Sequence, residues 1–130
     1  MKFNIDEIKA EHQKVKSGAD FPNYIQAIKR LGVSHYVAYV KDGNTEYFDP
    51  EHNSLETGAK YGAKNIAEDV NLDEFKLRLK LHQEGRTDYP TFCKDCAENG
   101  IKGWKMDLTN LTCSYFDVSG TEVLIEQVPS

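Results

Sequence analysis

The sequence predicts an α+β fold: an α-α-β-β-β unit present twice, joined in one antiparallel sheet with the helices packed on one face. Three observations carry this reading. A shift of 68 positions lays residues 21–49 on residues 89–117 without a gap, matching Pro22 to Pro90, Gly32 to Gly100 and Tyr47-Phe48-Asp49 to Tyr115-Phe116-Asp117. A shift of 67 lays Asn4-Ile5-Asp6-Glu7-Ile8-Lys9 on Asn71-Leu72-Asp73-Glu74-Phe75-Lys76. Within each matched segment, apolar residues at helical spacing give way to short β-type runs. The internal repeats span about 4–70 and 71–130, within a single domain of 130 residues. Such halves most simply share one sheet covered on one side.

Asn4 with Glu7 reads as a helix N-cap and its capping-box partner, and Asp6 favours the positive end of the helix dipole. Ile5, Ile8, His12 and Val15 form one helical face, which Gly18 can end. Asp20 offers a second cap, with Pro22 in the first turn, where its missing N–H costs nothing. Tyr24, Ile25, Ile28 and Leu31 give that helix its apolar face, and Gly32 closes it. Residues 33–40 read as a strand. Asp42-Gly43 then signals a two-residue hairpin turn, which places Val40 opposite Thr45, Ala38 opposite Tyr47 and Tyr36 opposite Asp49. Residues 50–62 are the least regular stretch, and residues 63–68 read as a short third strand. The run Gly58-Ala59-Lys60-Tyr61-Gly62-Ala63-Lys64 lacks the spacer and the Ser/Thr of a phosphate loop.

Phe75-Lys76-Leu77-Arg78-Leu79-Lys80-Leu81 alternates like a strand, yet Asn71-Leu72-Asp73-Glu74 repeats the first helix cap, so a helix is expected. Leu72, Phe75, Leu79 and His82 copy the first helix face. Leu77 and Leu81 then fall on the far side, as a second apolar face that packs against residues 50–62 or forms an interaction surface such as a homodimer contact. Asp88 caps a helix over 89–99, ended by Gly100. Strands over 101–109, 112–118 and 121–128 follow, the last stopped by Pro129.

Composition bounds function. Hydrophobic residues make up 39% and charged residues 28%, as in soluble globular proteins. A net charge of −5 argues against a nucleic-acid partner, which needs basic surface. Residues 1–7 turn acidic before any apolar run, so no signal peptide is expected, and the longest apolar run, over 36–40, is far short of a membrane span. Three cysteines without a secretion signal suit reduced thiols in a cytoplasm.

Cys93-Lys94-Asp95-Cys96, with Cys113 on a strand, invites a redox or thiolate-metal reading. The repeat, however, sets Cys93 on Ile25 and Cys96 on Ile28, both on an apolar helix face, so packing explains the thiols better. No metal or cofactor is expected. His12, His35, His52 and His82 show no metal-protease spacing, and satisfied, partly buried imidazoles are the default for each. The richest polar cluster is the turn from His82 to Tyr89, with Gln83, Thr87 and Asp88, which binds a ligand or simply caps helix ends. Tyr47-x-Asp49 and Tyr115-x-Asp117 set a tyrosine and an acid on one side of a strand in each half, either as packing or as paired pockets walled by Tyr36 and Trp104. The binding candidates are therefore His82, Asp88, Tyr89, Trp104, Tyr115 and Asp117. No catalytic residue is assigned.

Ser17-Gly18-Ala19-Asp20-Phe21-Pro22, Leu31-Gly32-Val33 and Asp42-Gly43-Asn44-Thr45-Glu46-Tyr47 resemble the first half of the YdfO-like proteins. The resemblance continues through His82-Gln83-Glu84-Gly85-Arg86-Thr87-Asp88-Tyr89, Trp104, Thr112-Cys113-Ser114-Tyr115 and Glu126-Gln127-Val128-Pro129. It covers nearly the whole chain, and the run from His82 to Tyr89 is fairly specific. It implies a small uncharacterised bacterial protein, in some cases prophage-encoded or labelled a phage envelope protein, and brings no activity or cofactor with it. The expectation is a cytoplasmic, non-catalytic binding or interaction module with an unknown protein or small-molecule partner. The alternatives are a small enzyme or ligand-binding protein using the His82 turn and the Tyr-x-Asp strands, or a thiol site at Cys93, Cys96 and Cys113.

Overall fold

The computed structural model describes residues 3–15 and 20–127. Its element order is α1 (Ile5–His12), α2 (Phe21–Leu31), β1 (His35–Tyr39), β2 (Thr45–Phe48), β3 (Ser54–Glu56), α3 (Leu72–Gln83), α4 (Tyr89–Glu98), β4 (Gly103–Asp107), β5 (Thr112–Phe116) and β6 (Glu122–Gln127). The six strands form one antiparallel sheet in the order β3-β2-β1-β4-β5-β6.

The helix starts follow the local chemistry. Asn4, Asn71 and Asp88 accept hydrogen bonds from Glu7 N, Glu74 N and Thr91 N, each capping an otherwise unsatisfied donor. Asp20 differs from expectation: its backbone is already right-handed helical, and Pro22 alone marks the start of α2. Gly32 ends α2 at φ 110°, where its N–H and that of Val33 return to Lys29 O and Ile28 O. Helix α1 stops at His12 rather than running to Val15. Gly18 and the expected strand end at Val128 and Pro129 lie outside the described residues. The alternating run 75–81 is helical, as the repeated cap requires.

One hydrophobic cluster draws on both halves: Ile8, Tyr24, Ile25 and Ile28 from the first helix pair, and Phe75, Leu79, Phe92, Cys93 and Cys96 from the second. These meet Tyr36, Val40, Tyr47, Met106, Leu108, Cys113 and Tyr115 from one side of the strands. The opposite side, with His35, Val37, Tyr39, Phe48, Lys105 and Phe116, contributes nothing to the cluster, so the helices cover a single face. Fully burying Phe75 stabilises the fold by roughly 1.5–3 kcal/mol.

Three expectations need correction. The first hairpin pairs Ala38 with Thr45 and Tyr36 with Tyr47, two residues away from the expected register. A two-residue turn needs positive φ at both central residues, and here only Gly43 has it, at 79°. The chain instead makes a wider loop in which Val40 N turns away from β2 and donates to Lys102 O. Second, the third strand of the first half is Ser54–Glu56, paired with β2, whereas residues 63–68 are irregular. Third, residues 50–62 do not cover Leu77, which is 51% exposed. That segment lies against the first hairpin, with Lys60 N and Tyr61 N donating to Asp42 O and the Tyr61 ring on Gly43.

The halves correspond closely in backbone detail. The pairs His35↔Phe48 and Ala38↔Thr45 of β1–β2 become Gly103↔Phe116 and Met106↔Cys113 of β4–β5 under the shift of 68. Val37 lies opposite Lys105, its own counterpart, at the centre of the β1–β4 pair. Flanking it, Val40 N donates to Lys102 O and Leu108 N to Ser34 O, one bond being the other rotated by a half turn.

Candidate functional site

On the uncovered face, a cleft of about 320 Å³ opens between the start of β1, the β2–β3 turn and the end of β4. Ser34, His35, Pro50, His52, Lys105, Asp107 and Thr109 line it. Strand pairing sets Asp107 directly across from His35, and Lys105 two residues before Asp107 projects to the same side. Asp49 builds the turn that delivers His52: its carboxylate accepts from Glu51 N, Asn53 N and Asn53 Nδ2. Burial pushes the Asp49 carboxyl up, but these bonds from Asn53 and Glu51 outweigh it and hold the group below the usual range. His52 itself sits in the left-handed region at φ 68°.

The imidazole of His35 stacks on Phe48 at 4.4 Å and meets His52 edge-on at 6.4 Å. Its tautomer follows from its neighbours. Ser34 Oγ donates its one proton to Phe48 O at 3.2 Å, so in the 3.1 Å contact between Ser34 Oγ and His35 Nδ1 the ring nitrogen is the donor. Nε2 is left with its lone pair. Burial, then the Lys105 charge, lowers the pKa of His35 against the opposing pull of Asp107. This wiring runs opposite to a nucleophile–base pair, in which the imidazole takes the hydroxyl proton. Asp107, too, is committed to its own turn, accepting from Thr109 N, Asn110 N and Asn110 Nδ2.

A second cleft, about 360 Å³, is lined by Tyr39, Lys41, Asp42, Asn44, Glu46, Glu56 and Lys102. The half-turn about the Val37–Lys105 pair relates part of it to the first: Lys102 takes the place of Ser34, Tyr39 that of Asp107 and Lys41 that of Thr109, while Asp42, Asn44, Glu46 and Glu56 have no counterpart in the first lining. The positions matching His35 and His52 are Gly103 and Gly120.

The residues expected from sequence stand elsewhere. His82 stacks on Phe92 at 4.4 Å and directs Nδ1 to Thr87 O, while burial lowers its pKa despite Thr87 and Asp88. Asp88 is the α4 cap. Tyr89, Trp104 and Tyr115 form an aromatic chain, with centroids 6.4 and 6.1 Å apart at successive contacts, and Tyr115 is buried. Asp117 holds its own turn through Ser119 and Thr121, as Asp49 does in the first half. Neither cleft is lined by any of these six residues. Cys93, Cys96 and Cys113 are all buried, and burial raises each thiol pKa, that of Cys113 to about 12. Among the described residues no group of three or more His, Cys, Asp or Glu could hold a metal ion. Sequence reasoning missed His35 and His52 as a pair, although their mismatch with Gly103 and Gly120 is readable from the shift alone.

Fold and cleft define a class: a small α+β protein with one helix-covered antiparallel sheet and a polar, imidazole-bearing recess on its open face. The chain belongs to the family described as "Protein of unknown function (DUF1398)", whose model matches residues 9–127. It is similar to the uncharacterized protein YcgX of Escherichia coli (strain K12), with 21% identity over 116 residues, covering 89% of this chain and 87% of that protein. Neither description names an activity, ligand or partner. Among the described residues no helix is long and apolar enough to cross a membrane.

Proposed function

We propose that the protein is a non-catalytic binding module of the cytoplasm whose ligand seats in the cleft of His35, His52, Lys105 and Asp107. The observation that carries this reading is that two imidazoles, His35 and His52, line one cleft at positions where the other half has Gly103 and Gly120. The Ser34–His35 wiring and the engagement of Asp107 favour holding a ligand over activating a nucleophile. A fragment screen followed by histidine and amide chemical shifts tests it. Weak ligands are expected to perturb Ser34, His35, His52 and Thr109; hits that gather instead at the His82–Tyr89 turn, the earlier candidate, would overturn the assignment.

Tandem duplication belongs to the same reading, and so does kinship with the YdfO-like, prophage-associated proteins. The duplication is supported by the shared registers and the reciprocal β1–β4 bonds, the kinship by the residues quoted for the resemblance. A second surface has its own support. Leu77 is half-exposed, and neither it nor Leu81 packs on the core, so the outer ridge of α3 suits contact with a second copy. Sedimentation of Leu77→Lys with Leu81→Lys tests this: a folded variant with an unchanged molecular mass in solution removes the contact.

A further inference from the structure

The chemistry of the first cleft narrows what it takes, an inference that rests on the binding reading above. Its walls bring one ammonium and two imidazoles against one carboxylate, and that carboxylate is turned to its own loop by three hydrogen bonds. Lys105 makes no salt bridge among the described residues. The related cleft has the opposite balance. There Lys41 and Lys102 stand among Asp42, Glu46 and Glu56, and the Tyr39 hydroxyl donates to Glu46. One recess thus sets three acids against two cations, while in the other Lys105 and the imidazoles face a single carboxylate, that of Asp107, already engaged by its own turn.

His35 adds geometry to charge. Ser34 Oγ holds Nδ1–H, so a second proton can go only to Nε2, and the ring stacked on Phe48 has a defined plane. A group that accepts a hydrogen bond from Nε2 must therefore bring a proton to it or draw one from water. The charged and titratable groups facing His35 are Lys105 and Asp107 from β4 and His52 from the β2–β3 turn. Two of these three can only disfavour its protonation, and a bound anion would reverse that balance.

We propose that this cleft is an oxyanion site for the phosphate group of a small ligand, with Lys105 as the fixed cation, His35 as a donor that takes up a proton on binding and His52 as a second ring beside it. A tetrahedral dianion carries two charges and spreads its acceptor oxygens in three dimensions toward these three and the Thr109 hydroxyl, whereas a carboxylate carries one charge and keeps its lone pairs in a single plane. Proton uptake makes affinity rise as pH falls, by up to about tenfold per pH unit for each proton taken up.

The test uses the full chain labelled with ¹⁵N and follows the histidine ring nitrogens during titration with inorganic phosphate, sulfate and acetate. Sulfate keeps its charge across the range and supplies the pH profile. Expected are saturable shifts confined to His35 and His52, tighter sulfate binding at pH 6 than at pH 8, a higher apparent pKa for His35 in the complex, and weak acetate binding. Lys105→Gln, exposed and outside the core, should fold normally and weaken sulfate binding several-fold. His12 and His82 serve as internal references. Shifts of equal size in all four histidines, binding indifferent to Lys105→Gln, or acetate binding as well as sulfate would overturn the proposal. If fragments still gather in the cleft while sulfate does not bind, the oxyanion inference fails and the binding reading stands; fragments gathering elsewhere remove both.

Discussion

Gly103 lies in β4, against the central strand pair, and its replacement by alanine is a sharp test of how the two halves are joined. A Cβ at this position would stand 2.2 Å from Ala38 O and 2.9 Å from Phe116 Cζ. The phenyl ring can swing away, but the carbonyl belongs to β1 and cannot move without opening the β1–β4 ladder. Relief requires roughly an ångström of strand separation, which stretches the Tyr39–Gly103 pairing and the adjacent Val40 N to Lys102 O bond of 2.9 Å. Overpacking costs about 1–3 kcal/mol, and one or two weakened hydrogen bonds add about 1 kcal/mol each, so Gly103→Ala should lose about 2–4 kcal/mol. Urea unfolding measures this as a lower midpoint with an unchanged slope. Gly120→Ala is the control: it has φ 86° but no atom within 4 Å of the added carbon, so only its backbone conformation is penalised, by about 1 kcal/mol. Equal losses for the two variants, or a loss below about 0.5 kcal/mol for Gly103→Ala, would show that the contact between the halves is not tight there.

The remaining expectations follow from burial. Cys93, Cys96 and Cys113 should react slowly with a thiol reagent at pH 8 in the native protein and at once in urea, because burial both shields the sulfurs and disfavours their thiolates; one fast native thiol would contradict the packing. His12, His35 and His82 all have folded pKa values below the ordinary 6.5, chiefly through burial, so the unfolded chain binds more protons and stability should fall as pH drops below about 6.5. His82→Gln should flatten that fall while lowering stability at pH 8 through the lost Phe92 stack, and an unchanged slope would count against it. Tyr24 and Tyr47 bond through their buried hydroxyls at 3.1 Å, so Tyr24→Phe should cost about 1–2 kcal/mol by stranding its partner. The double change to Phe should cost less than the sum of the two singles, and strict additivity would mean that the hydroxyls are satisfied elsewhere.

Features decided by a few neighbouring residues were legible in the sequence. The caps at Asn4, Asn71 and Asp88 and the stop at Gly32 depend on atoms within one helical turn, so sequence order contains the whole interaction. The hairpin register was not legible, because Asp42-Gly43 makes a wider loop once Val40 is drawn to Lys102, a partner from the other half. Ser54–Glu56 escaped notice for a related reason: three residues with one apolar side chain become a strand only because β2 offers an edge. The cleft depends on the longest-range relation of all, since β1 and the following turn supply its imidazoles while β4 supplies Lys105 and Asp107. Only the mismatch of His35 and His52 with glycine hinted at it.

Left-handed backbone positions give a last, independent argument about His52. Gly43 at φ 79° is matched 68 residues on by Leu111 at 56°, and His52 at 68° is matched by Gly120 at 86°. Each half thus holds one bulky residue where the other has the glycine that the conformation favours, at a cost of roughly 1–2 kcal/mol. Leu111 has an evident compensation, because it packs on the core. His52 is exposed, and apart from the edge contact with His35 its side chain faces the cleft. Left-handed backbone at an exposed side chain, though histidine adopts it more readily than leucine, points to the cleft as the reason for an imidazole here. His52→Gly should therefore gain roughly 0.5–1 kcal/mol, the relieved strain being partly offset by the greater freedom of an unfolded glycine. His52→Ala, which keeps the strain and removes the imidazole, should gain nothing, and Leu111→Gly should lose stability. If urea unfolding instead finds His52→Gly weakened as much as His52→Ala, the imidazole is a structural support, and the case for a site at this cleft loses its strongest residue.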